Sequence, residues 1–317
     1  MGTLFIIPGM HLLIPFAAAL SDAGRAAAAS LQLPHLQQLL ASWSEVQRDE
    51  GEEMSWSPPH ERALARALGW HGGNGLLPWA ARAAQADGVE VGTQAWGLVT
   101  PVHWHLGTDQ VGMLDPAALM LDAADSRTFF DAVADLFVSE GFAVHWGAPL
   151  RWYLSHPSLA TMATASLDRV IGRNVDAWLG DSDAMRRLRR LQNEVQMLLY
   201  THPANDQRES QGLLTVNSFW LSGCGVAQAV TGSQPRVEEA LRGPALADDW
   251  AAWAQAWQTL DGGPLAELLR QAGGGARLTL CGERASACFE PVERTVYQRL
   301  RARWRASPSA AAVLETL

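Results

Sequence analysis

The stretch from 198 to 225 constrains the fold most, because its character changes three times within one short segment. An amphipathic run ends near Tyr200, a polar segment containing Pro203 follows, and an apolar, strand-like run surrounds Trp220. The stretch closes on Gly223 and Gly225, a spacing that predicts a turn. We therefore expect this segment to carry the chain from the end of a helix to the edge of a sheet.

Composition excludes several classes of function. The chain has 317 residues, of which 48% are hydrophobic and 18% charged, enough for one large core or two modest ones. A net charge of −9 gives no general attraction to nucleic acid or anionic membranes, so neither is an expected partner. All basic residues are Arg, which excludes a Lys nucleophile, a Schiff base and a P-loop Lys.

The sequence predicts a cytoplasmic protein. Its three cysteines form no metal-binding spacing, and an odd number argues against a disulfide framework. The apolar run at 3–20 lacks a basic leader and is interrupted by Pro8 and Pro15, so we do not expect a signal peptide. No uninterrupted apolar stretch reaches 18 residues, so no transmembrane helix is expected.

Hydrophobic periodicity and the positions of Pro and Gly predict the remaining elements. In the first part of the chain we expect strand-like runs at 4–7 and 11–16, a loop or weak helix at 21–30, a helix from Pro34, an exposed acidic loop at 45–53, and helices at 57–69 and 76–86. Further on we expect a β-β-α-β order over 94–146, an amphipathic helix at 185–200, helices with a core-facing Trp stripe over 248–269, a strand and turn at 276–286, a helix at 295–305 and loose order at 307–317.

Nine residues in the central stretch resemble the centre of archaeal-type, cofactor-independent phosphoglycerate mutases of the alkaline phosphatase superfamily. They are His202, Pro203, Asn205, Arg208 and Gly212, followed by Asn217, Trp220, Gly223 and Gly225. The resemblance implies an α/β fold, an alkaline phosphatase-like doubly wound sheet with an inserted smaller α+β domain. It implies that 1–92 and 185–317 form the scaffold and that 93–184 form the inserted domain.

Three other phrases, which begin at His11, Ser57 and Asp168, resemble the RpfE-type regulatory proteins of bacteria, a mutase-like group. This second resemblance implies a regulatory role without supplying a mechanism.

The mutase resemblance implies two divalent cations, Mn or Zn, held by Asp and His residues near both ends of the chain. Here Pro15 and Phe16 stand where the first Asp is expected, Pro58 replaces an acidic residue after Ser57, and Glu283 begins the pair that replaces Asp-His. We therefore expect no metal-binding residues, no cofactor, and a non-catalytic ligand-binding or regulatory protein, a pseudoenzyme.

The alternative is a metal-dependent phosphomutase or phosphatase that uses two divalent cations, with Ser57 as the catalytic, phosphate-accepting nucleophile. For Ser57 the favoured interpretation is the N-cap of the helix that follows it. The sequence leaves open whether the protein is an enzyme.

The resemblance also implies a ligand-binding set for a small phosphorylated or carboxylated molecule. Its members are Asn205, Arg208, Asn217, Arg151, His202 and His103. A competing interpretation is that Asn205 and Arg208 cap the preceding helix and brace the 209–216 loop. His103 and His105 share a strand face, where a satisfied polar pair is favoured over a metal site. No protein partner is identifiable.

Overall fold

The computed structural model describes residues 9–107, 110–271, 275–291 and 309–317. The predicted strand at 4–7 and the predicted helix at 295–305 lie outside these residues. Within them the chain is a mixed α/β protein with several sheets. None of the helices in these ranges has the length and apolar character needed to cross a membrane.

The strands are β1 (His11–Ile14), β2 (Trp43–Glu50), β3 (Ala95–Val102), β4 (Trp104–Leu106), β5 (Val111–Met113), β6 (Ala143–Ala148), β7 (Arg151–Ser155), β8 (Ser218–Val226), β9 (Arg236–Val237), β10 (Arg277–Cys281) and β11 (Ala285–Pro291). The α-helices are α1 (Asp22–Ser30), α2 (Pro34–Ser42), α3 (Pro59–Leu68), α4 (Trp79–Ala86), α5 (Ala123–Ser139), α6 (Leu167–Val170), α7 (Asp183–Tyr200), α8 (Pro203–Ser210), α9 (Arg242–Leu246), α10 (Trp250–Leu260), α11 (Ala266–Arg270) and α12 (Ala310–Glu315). Short 3-10 helices cover Pro116–Leu119, Pro157–Ala160, Val175–Trp178 and Glu239–Leu241, and a π-helical turn at Asp261–Leu265 joins α10 to α11.

The chain divides into two compact units. The first unit contains 1–53, 58–69 and 230–317, and the second unit contains 54–57 and 70–229. The insertion at 93–184 and the doubly wound, alkaline phosphatase-like architecture stay predictions.

The first unit is built on a mixed five-stranded sheet in the order β2-β11-β10-β1-β9. β1 pairs in parallel with β10 and β9, whereas β11 runs antiparallel to both β10 and β2. One face of this sheet packs against α1, α2, α10, α11 and α12 in a single apolar core. The predicted tryptophan stripe is confirmed as part of that core, since Trp253 and Trp257 are fully buried.

The opposite face of the first unit's sheet packs against α3, where Ala63 lies against Leu13 and Cys281. α3 ends at Gly69, whose left-handed φ of +78° allows its N–H to reach the carbonyls of Ala65 and Arg66. The predicted helix at 57–69 is thus confirmed, although it begins two residues later.

The second unit contains a four-stranded antiparallel sheet in the order β6-β7-β3-β8. α5 and α7 pack on one face of it, and α4 packs on the other against Trp96 and Tyr153. The predicted amphipathic stripe of the 185–200 helix is confirmed, with buried residues at Met185, Leu188, Leu191, Val195 and Leu199.

Two sequence predictions for the first unit were wrong. The acidic segment expected to be a loop at 45–53 is mostly β2, an edge strand that pairs through its backbone with β11 and so tolerates polar side chains. The segment expected to be loosely ordered at 307–317 contains α12, because Leu314 and Leu317 are buried in the core.

The predicted turn at Gly223 and Gly225 was also wrong, because both residues lie within β8. Gly223 has a φ of +64°, and a Cβ there would sit 2.9 Å from the backbone nitrogen of Ala80 in α4. Glycine is therefore required by a close helix-strand contact rather than by a turn.

We expect Gly223→Ala to destabilise the second unit more than Gly212→Ala. Both positions have positive φ, which costs a non-glycine residue about 1–2 kcal/mol. A Cβ at Gly212 meets nothing within 4 Å, whereas one at Gly223 adds overpacking worth about 1–3 kcal/mol. Urea unfolding measures both variants, and equal losses of stability would contradict the close contact with α4.

Candidate functional site

Arg208 is buried and paired at each guanidinium nitrogen. Its side chain is 2% exposed. Nε donates to the Leu214 carbonyl at 2.8 Å, Nη1 to Asp125 Oδ2 at 2.9 Å, and Nη2 to the Leu119 carbonyl. The guanidinium thus ties α8 to the following loop, to α5 and to the 3-10 helix at Pro116–Leu119. This environment favours the bracing interpretation of Arg208 over ligand binding.

Asn205 joins the end of α7 to the segment that enters β8. Its Nδ2 donates to the carbonyls of Leu199 at 2.9 Å and Val216 at 2.8 Å, and its Oδ1 accepts the Val216 N–H. The side chain therefore hydrogen-bonds to both backbone groups of Val216 and adds a donor to the Leu199 carbonyl, which also accepts the His202 N–H.

Asn217 holds the break between β3 and β4. Its Oδ1 accepts the Trp104 N–H and its Nδ2 donates to the Trp104 carbonyl, both at 2.7 Å. His103 lies at that break and its Nδ1 is 2.8 Å from the Thr215 carbonyl. The side chains of Asn217 and His103 therefore both hydrogen-bond to backbone groups of a neighbouring segment.

His202 is the N-cap of α8, where its Nδ1 accepts the Ala204 N–H at 3.2 Å and its ring stacks near Phe129. We call Asn205, Arg208, Asn217, His103 and His202 the central network. Its contacts all lie in the second unit and link α7, α8, β4 and β8. Ligand binding by these residues stays a prediction.

Arg151 belongs to a different cluster of the second unit. Its Nε and Nη2 each donate to Asp87 at 2.8 Å, and the Tyr153 hydroxyl donates to the same carboxylate at 2.6 Å. Hydrogen bonds from Arg151, the largest cause, hold the pKa of Asp87 below its usual value. The half-exposed Arg151 therefore fastens β7 to the end of α4.

Ser57 does not cap α3, so that interpretation is corrected. The N-cap of α3 is Pro58, which makes no side-chain hydrogen bond. Ser57 is 2% exposed, and its Oγ accepts the Gly75 N–H at 2.8 Å while its own N–H donates to Asn74. Ser57 therefore hydrogen-bonds to the 74–75 loop of the second unit.

The end of β1 is closed by aromatic packing within the first unit. Phe16 adopts a positive φ of 55°, its carbonyl accepts the Trp253 indole N–H, and its ring lies 5.1 Å from that of His60. The carboxylate of Glu283 accepts the Leu20 N–H at 2.8 Å.

The mutase resemblance implies a two-metal centre. Such a centre needs several carboxylate and imidazole ligands held together. Across the described ranges, no group of three or more His, Cys, Asp or Glu residues is arranged to hold a metal ion.

A cavity of about 350 Å³ lies in the first unit between its sheet and α3. Strand residues at its wall are His11, Gln47, Arg277, Thr279, Ser286 and Cys288. α3 and the 232–233 loop complete the lining with Ala63, Arg66, Ala67, Gly232 and Ser233. Sequence reasoning did not find this cavity, although the alternation of polar and apolar residues in β10, from Arg277 to Leu280, is a signal for it.

His11 is the central polar group of this cavity. Its Nε2 is 2.9 Å from Thr279 Oγ1, and its Nδ1 is 3.5 Å from Ser233 Oγ. Burial, followed by the positive charge of Arg277, lowers the pKa of His11 to about 4. The imidazole is therefore neutral near pH 7. Burial also raises the pKa of Cys288, which keeps that cysteine a thiol.

Replacing Arg208 with Gln should cost about 2 kcal/mol or more, because it removes a hydrogen-bond partner from the buried carbonyl of Leu119 and from the partly buried carbonyl of Leu214. The matched control is Arg186→Gln in the same unit, where an exposed pair with Asp183 is worth about 1 kcal/mol or less. Urea unfolding of both variants checks this, and equal small losses would show that Arg208 is not a brace.

The protonation of His11 should affect how the free energy of unfolding depends on pH. Its pKa is lowered from 6.5 to about 4 on folding, so the unfolded chain binds the proton more readily between these values. The free energy of unfolding should therefore fall as pH decreases through this window. His11→Gln should flatten that part of the profile in urea unfolding at several pH values. An unchanged slope would contradict a buried neutral imidazole.

No family model matches the chain, and no curated protein matches it. Similar solved structures include the cofactor-independent phosphoglycerate mutase from Thermoplasma acidophilum DSM 1728, with 15% identity, a TM-score of 0.37, and coverage of 97% of this chain and 98% of that one. Another is the PH0037 protein from Pyrococcus horikoshii, with 10% identity, a TM-score of 0.42, and coverage of 90% and 87%. A phosphoglycerate mutase is thus among the distantly similar structures, while the RpfE-type resemblance stays a prediction.

Proposed function

We propose that this chain is a phosphoglycerate mutase-like protein that has lost the two-metal phosphotransfer site. It serves as a non-catalytic ligand-binding or regulatory protein. The observation that carries the proposal is Phe16 at the end of β1, at the position where the sequence resemblance implies a metal-binding Asp.

The chemistry of the side chains supports this proposal. A serine hydroxyl attacks phosphorus only when its pKa is lowered, and metal ions also neutralise the charge on the transferring group. A phenyl ring has no lone pair for a cation, and the ring of Phe16 packs against His60. Glu283 already accepts a backbone N–H, so the end of β1 is organised by packing and backbone hydrogen bonds.

The predicted ligand is a small phosphorylated or carboxylated molecule, and arginine can recognise either group without a metal. Guanidinium groups match both geometries and stay charged at all relevant pH values. Every basic residue of this chain is an Arg, so this mode of recognition is the one its composition offers.

The alternative, a metal-dependent phosphomutase or phosphatase, requires the Ser57 hydroxyl to reach a phosphate. That hydroxyl is buried and accepts the Gly75 N–H, which is the environment of a structural serine. Two experiments separate these functions.

The first experiment is elemental analysis of the full chain after incubation with Mn²⁺ or Zn²⁺, together with an assay for interconversion of 2- and 3-phosphoglycerate. We expect neither two tightly bound ions per chain nor turnover. Two bound ions with metal-dependent turnover would overturn the proposal.

The second experiment is Ser57→Ala. A structural serine predicts a loss of about 1–3 kcal/mol, because the buried Gly75 N–H loses its acceptor. The exposed Ser210→Ala is the matched control and should change stability little. If Ser57→Ala instead left unfolding unchanged and abolished a metal-dependent activity, the alternative function would hold.

A further inference from the structure

The strands β1 and β10 present two chemically different surfaces. Toward the large apolar core they place Leu12, Ile14, Leu278 and Leu280, all fully buried. On the opposite face, β1 and β10 place His11 beside Arg277 and within hydrogen-bond distance of Thr279, and β11 adds Ser286 and Cys288. Strands covered by helices on both faces are usually apolar throughout, so these polar residues require another explanation.

The polar surface remains partly uncovered because the residues packed above it are small. α3 contributes Ala63 and Ala67, and Gly232 packs so closely on this helix that a Cβ would lie 2.2 Å from the Ala67 carbonyl oxygen. The resulting cavity of about 350 Å³ falls within the usual size of small-molecule pockets. The cavity thus results from the small side chains of α3 and from the close packing of the Gly232 backbone on this helix.

Two arginines supply positive charge to the lining of this cavity. Arg66 Nη2 contacts Asp49 at 3.2 Å, and Arg277 Nε contacts Glu290 at 2.6 Å. Their side chains are 39% and 48% exposed, so both guanidinium groups are accessible to solvent. A guanidinium carries five N–H donors, and one carboxylate contact does not use all of them.

The interior of the cavity offers uncharged hydrogen-bonding groups. The hydroxyls of Thr279 and Ser233 flank the two nitrogens of a neutral His11. Arg277 is the register partner of His11 in the neighbouring strand, so its positive charge lies beside this interior. Positive charge with hydroxyl donors suits an anion with several acceptor oxygens.

We propose that this cavity binds a small oxyanion, a carboxylate or phosphate group, through Arg66 and Arg277 together with the hydroxyls of Thr279 and Ser233. This inference rests on the proposed ligand-binding function and places the ligand in the first unit. The sequence had instead suggested residues of the second unit, from His103 to Asn217.

Calorimetric titration of the full chain at constant ionic strength tests the proposal. The probes are inorganic phosphate, malonate as a carboxylate, and glycerol as an uncharged control. We expect one saturable site for phosphate, malonate or both, and none for glycerol. The anion that binds identifies which oxyanion the cavity prefers.

Variants then locate the binding site. Arg66→Gln removes a charge of the lining, and Thr279→Val removes an interior hydroxyl while keeping the side-chain shape. Each should weaken anion binding at least tenfold. The control Arg25→Gln removes an exposed arginine, paired with Asp22 outside the cavity lining, and should leave binding unchanged. If Thr279→Val fails to fold, Ser233→Ala replaces it.

Alkylation of Cys288 by iodoacetamide gives an independent reading of the same cavity. Cys224 and Cys281 are fully buried, so peptide mapping should assign the reaction of the folded chain to Cys288. The bound anion should slow this reaction in the parent chain but not in Arg66→Gln.

The outcomes separate this inference from the function on which it rests. If anion binding is saturable but unchanged in both cavity variants, and Cys288 is not protected, the cavity is not the binding site. The proposed ligand-binding function would then still hold. No saturable binding of either anion would also overturn the cavity inference. The loss of two-metal transfer is judged separately, by metal content and turnover.

Discussion

The second unit depends on one constraint, which is that buried backbone groups must find hydrogen-bond partners. Between α8 and β8 the chain leaves regular structure, and the backbone groups of Leu214 and Val216 there are partly and fully buried, respectively. Asn205 and Arg208 supply their partners. These contacts account for Asn205 and Arg208 by folding alone. The motif that most resembles a mutase thus supports a fold more firmly than it supports a reaction.

The first unit shows a second constraint, because its central strands are packed on both faces. One face is committed to a core of leucines and tryptophans, and it needs no further explanation. The other face keeps His11, Thr279 and Cys288 beside a cavity, at a cost that an apolar packing would avoid. At the end of the same strand, Phe16 closes the place where metal chemistry is expected from the resemblance. Phe16 and the polar cavity thus both adjoin β1.

Sequence patterns predicted the elements whose signals are local. The stripe from Met185 to Leu199 and the buried Trp253 and Trp257 follow from helical periodicity alone. β2 was missed because an edge strand is held by backbone pairing, which polar side chains do not reveal. The cavity was missed because His11 and Thr279 are 268 residues apart and meet only through strand register. The prediction that Ser57 caps α3 was wrong for a similar reason, because its hydroxyl accepts the N–H of Gly75, which lies 18 residues away.

We infer that the protein binds an oxyanion without a two-metal centre, and a crystal grown with Mn²⁺ and phosphate is the decisive experiment. We expect phosphate density against Arg66, Arg277 and Thr279, with no pair of anomalous manganese peaks. Two manganese peaks about 4 Å apart, with phosphate bridging them beside Ser57, would contradict it.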